Sequence, residues 1–378
     1  MALITYLTTI QFDFGAIACL EQELPRLGIT RPLIVTDRGV LAAGLIDMVK
    51  KKLPGNLPVT VFDGTPENPT ERAVHAALEL YRAQGCDGFI AVGGGSSMDL
   101  AKAAAVLATH PEPLSQYMAV LGGTPRITSK VAPVVAVPTT AGTGSEVGRG
   151  AVIILDDGRK LALLSPNLLP KLAVCDPELT LDLPARITAG TGMDAIAHCI
   201  ETYLAPSINP PAEAIALDGL ERAVGHLERA VRDGHDREAR WNMMMAAMEG
   251  AMAFQKGLGA VHAMSHPLGG LPQPRLHHGT LNAIFLPPVL RFNRPAAGEA
   301  KYDRLARVMG LGSGNAVADF IAGLTERVGL PTRLKDLGVP ASVLPDIAAG
   351  ALKDHCHLTN PRTATEADYR ALLAEAYA

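Results

Sequence analysis

The chain has 378 residues, of which 48% are hydrophobic and 19% charged, and its formal net charge is −4. That length exceeds what one core usually organises and predicts two domains. The small, dispersed charge argues against nucleic acid or an anionic membrane as partner, and no apolar stretch runs far enough without proline, glycine or charge to cross a bilayer.

The opening MALITYLTTIQFDFGAI carries neither a basic n-region nor a cleavage site, so it does not read as a secretory signal. PLIVTD (Pro32 to Asp37) predicts a strand followed by helix through Lys52. VTVF (Val59 to Phe62) predicts a second strand, and Pro69-Thr70 opens a helix to about Gln84. GFIAVG (Gly88 to Gly93) is a third strand, followed by an alanine-rich helix to about Thr109. VVAVPTT (Val134 to Thr140) is a fourth. Apolar runs alternating with helices predict a parallel sheet covered on both faces. AVIILDDGRKLALLS predicts a hairpin turning at Asp157-Gly158, and LAVCDP closes the region. Beyond Pro184 the character changes. Ala185 to Tyr203, Ala212 to Arg232, Arg237 to Gln255, Ala300 to Met309, Ala316 to Val328 and Ala364 to Tyr377 show helical periodicity. A domain boundary is expected near residue 184. The five cysteines are scattered and never paired as C-x-x-C, which fits reduced thiols in a cytosol.

Two loops of the first half carry nucleotide chemistry. Glycines after a buried strand let backbone N–H groups approach a pyrophosphate, and the next helix presents its positive end. Gly93-Gly94-Gly95-Ser96 supplies this, although it is not the G-x-G-x-x-G fingerprint. PTTAGTGSEV adds the hydroxyls of Thr139, Thr140, Thr143 and Ser145 after another strand end. Asp37 ends its strand where a ribose would lie. A carboxylate there would accept from the 2′-hydroxyl and repel a 2′-phosphate, favouring NAD; helix capping is the competing role.

The second half carries metal chemistry. Asp194 and His198 are i and i+4 in TGMDAIAHCIET, so on a helix they share a face. His262 and His266 repeat that spacing, and the adjacent His277 and His278 follow. Spacing alone leaves open which of that adjacent pair faces the cluster. One carboxylate with three imidazoles suits a divalent ion. Ala263 stands where a zinc protease of the H-E-x-x-H type has its glutamate, which disfavours that class. His355 and His357 read as lining a pocket or the surface.

GGGSSMD, PTTAGTGSEV, the helix carrying Asp194 and His198, VHAMSHPLGG and HHGTLNAIFLP together resemble the iron-containing alcohol dehydrogenase family. They occur in the family's order and span essentially the whole chain. The resemblance implies an α/β, Rossmann-like dinucleotide-binding domain over residues 1–184. It also implies an all-helical metal-binding and substrate domain over 185–378, with the active-site cleft between the two. Its implied cofactors are NAD and Fe²⁺, or Zn²⁺ in some members. The implied metal ligands are Asp194, His198, His262 and His278, the last because it precedes Gly279 in the H-G-x-x-N-A pattern. His266 is implied to sit near the nicotinamide as a proton acceptor. The implied cofactor contacts are Asp37, Asn68, Gly94, Gly95, Ser96, Asp99, Thr139, Thr140, Thr143 and Lys160. Relative to the common pattern, FQKGLGAVH is one residue short before His262, and the stretch between His266 and His278 is about two residues long.

Within the family, DGLERAVGHLERAVRDG, AFQKGLG and DHCHLTNPR resemble bacterial members acting on 4-hydroxybutyrate. The implied reaction is its reversible oxidation to succinic semialdehyde, or that of a similar short hydroxy acid or alcohol. A carboxylate substrate needs a cation or donors at the far end of its pocket, for which Lys256, Arg149, His355 and His357 are candidates. The expected partner is a small alcohol or aldehyde, in a cytoplasmic homodimer or higher oligomer without nucleic acid or membrane. The competing readings are a general short-chain alcohol or diol dehydrogenase and, from another class, a non-catalytic nucleotide-binding oligomer. A sugar-phosphate cyclase or glycerol-1-phosphate dehydrogenase relative is disfavoured by the lack of clustered Lys/Arg near the metal motifs. A maleylacetate reductase type is disfavoured by the retained ligand residues.

Overall fold

Short runs of apolar, largely β-branched residues become the strands of a parallel sheet. In the computed structural model, described for residues 8–378, they are β1 Ile10–Phe12, β2 Pro32–Val35, β3 Thr60–Phe62, β4 Gly88–Gly93, β5 Val134–Pro138, β6 Gly150–Ile154, β7 Lys160–Leu164 and β8 Leu172–Cys175. Six form one sheet in the order β1-β8-β5-β4-β2-β3, every neighbouring pair parallel. The remaining two, β6 and β7, pair antiparallel across Gly158, whose φ of 85° suits the glycine of the expected turn. Alternate residues of the strands feed different cores. Leu33, Val35, Phe89 and Ala91 pack on one side, and Ile34, Ile90, Val92 and Val135 on the other. That two-sided burial is why the central strands read as continuous apolar runs rather than alternating ones.

The helices between these strands are α1 Leu20–Arg26, α2 Arg38–Ala42, α3 Leu45–Lys50, α4 Glu71–Ala83 and α5 Gly95–Leu107. The single helix expected after β2 is broken in two at Gly44, which sits at φ 76°. β1 was not anticipated; three residues carry too little pattern to be seen. The first seven residues of the segment read as lacking a secretory signal lie outside the described residues.

The remaining helices are α6 Ala185–Leu204, α7 Pro210–Arg232, α8 Arg237–Ala253, α9 Ala260–Gly269, α10 His278–Ala297, α11 Glu299–Val308, α12 Val317–Arg327, α13 Leu344–Ala351 and α14 Glu366–Tyr377. Helix α6 is buried without interruption from Gly192 to Leu204 and packs against α7, α8 and α10. Of these later helices, three were absent from the expectation, as was α1 earlier in the chain. Pro267 lies inside α9, Pro287, Pro288 and Pro295 inside α10, and Pro345 opens α13. Proline removes an N–H and weakens any local helix reading; here burial of α9 and α10 overrides that cost.

By internal contacts the chain divides into two units. One takes the described residues up to Thr140 together with Ser145–Asp182; the other takes Ala141–Gly144 and Leu183–Ala378. A parallel sheet with helices, and a separate all-helical unit, is the architecture that the sequence predicts. Among the described residues no helix is long and apolar enough to cross a membrane, and all five cysteines are free.

Candidate nucleotide loops and metal centre

At the carboxyl end of β4 the chain turns sharply into α5. Gly93 has φ 152°, and a Cβ there would fall 2.6 Å from Ser97 Oγ. Gly94 is the N-cap of α5 with no side-chain cap, so the first amides of a 13-residue helix, starting at Gly95, are left for an external acceptor. A side chain on Gly94 would meet Thr140 Oγ1 at 3.4 Å, which puts the second loop beside the first. Thr139 is buried, and its N–H donates to Gly93 O at 3.0 Å. Asp37 caps α2 through Oδ1, which accepts from Val40 N at 3.0 Å. Its other oxygen, Oδ2, lies 3.7 Å from the Cβ position of Gly93. Asp37 thus fills the capping role weighed in the sequence, with its second oxygen beside the glycine turn.

Ser96 Oγ donates to Glu67 O, and Lys160 Nζ donates to Asn68 Oδ1 at 2.9 Å. These four residues thus form two cross-links, at the loop and at β7. Both oxygens of Asp99 are engaged: Oδ1 accepts from Ser145 Oγ at 2.7 Å and Oδ2 from Val152 N at 2.8 Å. The fully buried Lys102 completes that corner, donating to Ser145 O, Ser145 Oγ, Gly148 O and Gly150 O at 2.6–2.9 Å. Asp99 is thereby tied to the fold around residues 145–152. Thr143 belongs to Ala141–Gly144, the segment grouped with the helical unit. Its flanking glycines explain why: a Cβ on Gly142 would meet Thr191 O at 2.5 Å, and one on Gly144 would meet Ala251 Cβ at 1.9 Å.

In the helical unit, α6 and α10 approach so closely that a Cβ on Gly279 would fall 2.0 Å from Gly190 O. This crossing brings His278, the first residue of α10, against Asp194 on α6. The ring Nε2 atoms of His198, His262 and His278 stand 3.8, 3.7 and 3.8 Å from Asp194 Oδ1. Donor atoms of Asp194, His262 and His278 all lie within 4.8 Å of one another; His198 reaches Asp194 and stacks on His262 with ring centroids 4.7 Å apart. His277 is turned elsewhere, its Nδ1 accepting from Thr280 N at 3.3 Å as the N-cap of α10. His266 stacks on His278 at 5.5 Å, and its Nδ1 bonds Asp354 Oδ2 at 2.9 Å.

Three partners were not visible in the sequence. Glu201 Oε2 lies 2.6 Å from His262 Nδ1, while Oε1 accepts from Val261 N at 2.8 Å. Asn282 Nδ2 donates to Asp194 Oδ1 at 2.6 Å and lies 3.2 and 3.1 Å from the Nε2 atoms of His262 and His278. Asp354 is the third. Glu201 and Asn282 did carry a signal. Glu201 is seven residues after Asp194 and three after His198, the same stripe of α6, and Asn282 is one turn beyond His278. Asp354 reaches His266 only through the tertiary fold.

The electrostatics call for a cation. Burial favours the neutral acid of Asp194, but the surrounding imidazoles of His198, His278 and His262 win and hold its carboxyl well below the ordinary range. Burial drives His198 down to about 4 against the pull of Asp194. His262 is raised to about 9: burial opposes this, and Asp194 and Glu201 on its two sides overcome it. Two buried carboxylates, Asp194 and Glu201, therefore favour positive charge on the imidazole between them. Bonds of about 2.0–2.2 Å in a tetrahedral arrangement place donor atoms roughly 3.4 Å apart, a few tenths short of the spacing here. His198 Nδ1 and Asn282 Oδ1 are buried without a hydrogen-bond partner. The donor set of carboxylate oxygen and imidazole nitrogen fits Fe²⁺ or Zn²⁺.

The carboxylate partners named from sequence fare unequally. Lys256 is buried and spends its ammonium on Thr202 O at 3.0 Å, Tyr203 O at 3.3 Å and Ala205 O, closing the end of α6. His357 Nδ1 bonds the Tyr369 hydroxyl at 3.0 Å. Arg149 is exposed and falls in the other unit. Only His355 lies beside the metal cluster, its ring stacked on His266 at 5.7 Å.

Comparison with known proteins bears on this geometry. Residues 8–177 match the family model described as iron-containing alcohol dehydrogenase, and residues 188–377 match its C-terminal counterpart, described as the Fe-containing alcohol dehydrogenase family. A 4-hydroxybutyrate dehydrogenase of Cupriavidus necator is 60% identical over 99% of this chain and 100% of its own. The solved structure of a 1,3-propanediol oxidoreductase superposes with a TM-score of 0.93 at 35% identity, covering 100% of both chains. A sulfoacetaldehyde reductase of Bifidobacterium kashiwanohense, solved with NAD⁺, gives a TM-score of 0.89 at 29% identity over 100% of this chain and 99% of that one.

Proposed function

The chain belongs to the iron-containing alcohol dehydrogenase family, and within it we propose that it interconverts 4-hydroxybutyrate and succinic semialdehyde, with NAD as hydride carrier. It is an alcohol dehydrogenase with NAD and Fe²⁺ as cofactors. The observation that carries the chemistry is the convergence of three imidazole nitrogens on Asp194 Oδ1 at 3.7–3.8 Å. The substrate rests on likeness to the Cupriavidus necator enzyme.

In this reading Asp194, His198, His262 and His278 hold the ion. Bound there, Fe²⁺ supplies Lewis acidity toward the substrate hydroxyl, favouring loss of its proton near neutral pH. Glu201 fixes the tautomer and ring plane of His262 through Nδ1, so that Nε2 points inward. Asn282 Nδ2 donates to Asp194 Oδ1 within the cluster and orients that carboxylate. His266 is held at Nδ1 by Asp354, which leaves Nε2 to accept the proton released from the hydroxyl. Bound NAD would take up the hydride of the carbinol carbon. The uncapped amides of Gly95 and Ser96 and the close-approach glycine Gly94 would hold its pyrophosphate. Thr139, Thr140 and Thr143 would supply hydroxyls, Asp37 would meet the ribose, and Asn68, Asp99 and Lys160 would complete the surround. We place the boundary between nucleotide-binding and metal-binding domains at residue 184, and take the protein as a cytoplasmic homodimer or higher oligomer.

The test is NADH formation from 4-hydroxybutyrate by purified protein with Fe²⁺ and NAD. His262→Ala should lose bound iron, measured by elemental analysis, together with turnover. Full activity in iron-free, chelator-treated protein would refute the Lewis-acid role. Likeness to a 1,3-propanediol oxidoreductase supports a second reading, a dehydrogenase of uncharged diols; faster turnover of diols than of the hydroxy acid would favour it.

A further inference from the structure

The metal cluster is open on one flank. Side chains of His262 and Asp194 are 1% and 7% exposed, whereas His278 retains 30% and His355 35%. The two open rings are both stacked on His266, one on each contact. His278 and His266 are 5.5 Å apart and nearly parallel at 8°; His266 and His355 are 5.7 Å apart at 17°. A ladder of three imidazoles therefore runs outward from the metal ligands.

A further property sets its last rung apart. His355 Nε2 touches Cys356 Sγ at 3.5 Å, and Nδ1 stands 3.6 Å from Asp354 Oδ1, too far for a hydrogen bond. That carboxylate is already engaged, accepting from His266 Nδ1 and, at 2.8 Å, from Cys356 N. The partners of His355 are thus a thiol sulfur and a carboxylate already shared, weaker calls on its ring nitrogens than the backbone and hydroxyl bonds of Lys256 and His357.

We propose that His355 receives the carboxylate of the substrate, donating a ring N–H to it while the hydroxyl end reaches the Asp194, His262 and His278 group. The inference rests on the reading of the protein as a 4-hydroxybutyrate dehydrogenase. The lengths agree: from bonds of about 1.5 Å, the extended hydroxy acid spans roughly 6 Å between hydroxyl and carboxylate oxygens. A metal bond of about 2 Å and a hydrogen bond of about 2.8 Å at its two ends bring the reach to about two rungs of the ladder. A charged end meeting a donor inside a partly closed site discriminates strongly against an uncharged end of equal length.

The test compares kcat/KM for 4-hydroxybutyrate and 1,4-butanediol in Fe²⁺-loaded protein, for the native chain, His355→Phe, His355→Asn and Arg275→Gln. Phenylalanine keeps the stacked ring and removes the donor; asparagine keeps a donor; Arg275 is an exposed cation three residues before His278. The acid-to-diol ratio should fall about 10- to 100-fold in His355→Phe, the loss appearing in KM of the acid. It should recover in part in His355→Asn and hold in Arg275→Gln. An unchanged ratio in both His355 variants, with melting temperatures near native, overturns the inference, as does a fall seen in Arg275→Gln alone. A native protein that oxidises the diol and not the acid sinks the substrate reading and this inference with it. Failure of the His355 variants alone leaves that reading standing.

Discussion

His262 Nδ1 and Glu201 Oε2 lie 2.6 Å apart, both side chains closed to solvent, with Glu201 one turn of α6 beyond His198. A histidine so anchored presents Nε2 as a lone pair in a fixed direction. Outer partners of this kind are typically worth about 10- to 100-fold in metal affinity. Glu201→Gln should weaken Fe²⁺ or Zn²⁺ retention by that factor in competition with a chelator, while near-native circular dichroism reports an intact fold. Unchanged affinity would mean that Glu201 serves only the backbone of α9.

The nucleotide preference hangs on Asp37. In the proposed reading its carboxylate, beside the Gly93 turn, would repel a 2′-phosphate. Asp37→Ser should raise kcat/KM with NADP relative to NAD by about 10-fold or more, a change of about 1.4 kcal/mol in discrimination. Serine is chosen because it still caps α2. A ratio that does not move places the ribose elsewhere.

The α6–α10 crossing predicts a stability effect. Gly279→Ala would force a methyl to 2.0 Å from Gly190 O, which a backbone atom cannot evade by rotation. Overpacking of this sort costs about 1–3 kcal/mol. The variant should melt measurably lower and lose metal affinity with it, because the same crossing carries His278 to Asp194. Melting at the native temperature would show that the two helices part readily.

A pH effect should come from the contact of α7 with α8. Burial, then the hydrogen bond and charge of Asp218, push Glu249 up to about 8, against the pull of Arg222. In the unfolded chain a glutamate titrates near 4.3. Between those values the folded state alone holds the proton, so stability must fall as pH rises from about 4.3 through 8. Glu249→Gln should flatten that slope and leave the variant relatively more stable at alkaline pH, as measured by urea unfolding across the range. A slope equal to the native one would show that Glu249 is ionised in the folded protein.

Much of this molecule could be read from its residues, and what could not has physical causes. The strands Pro32–Val35 and Gly88–Gly93 announced themselves because burial on both faces demands unbroken apolar runs. Asp194 and His198 did so because one helical turn separates them. Helices α9 and α10 stayed hidden behind their prolines, although they carry His262 and His278. Spacing alone left His277 and His278 open and only the family pattern named His278; the crossing at Gly190 is what sets that ring against Asp194. Asp354 and the ladder from His278 to His355 are long-range contacts, and no local pattern encodes them.

The outermost strands of the main sheet, β1 and β3, span three residues each. Free strand margins are where one chain recruits another through its backbone, and margins this brief offer few open amides and carbonyls. Self-association of this enzyme should accordingly proceed through side-chain surfaces rather than by extending its sheet into a neighbour's.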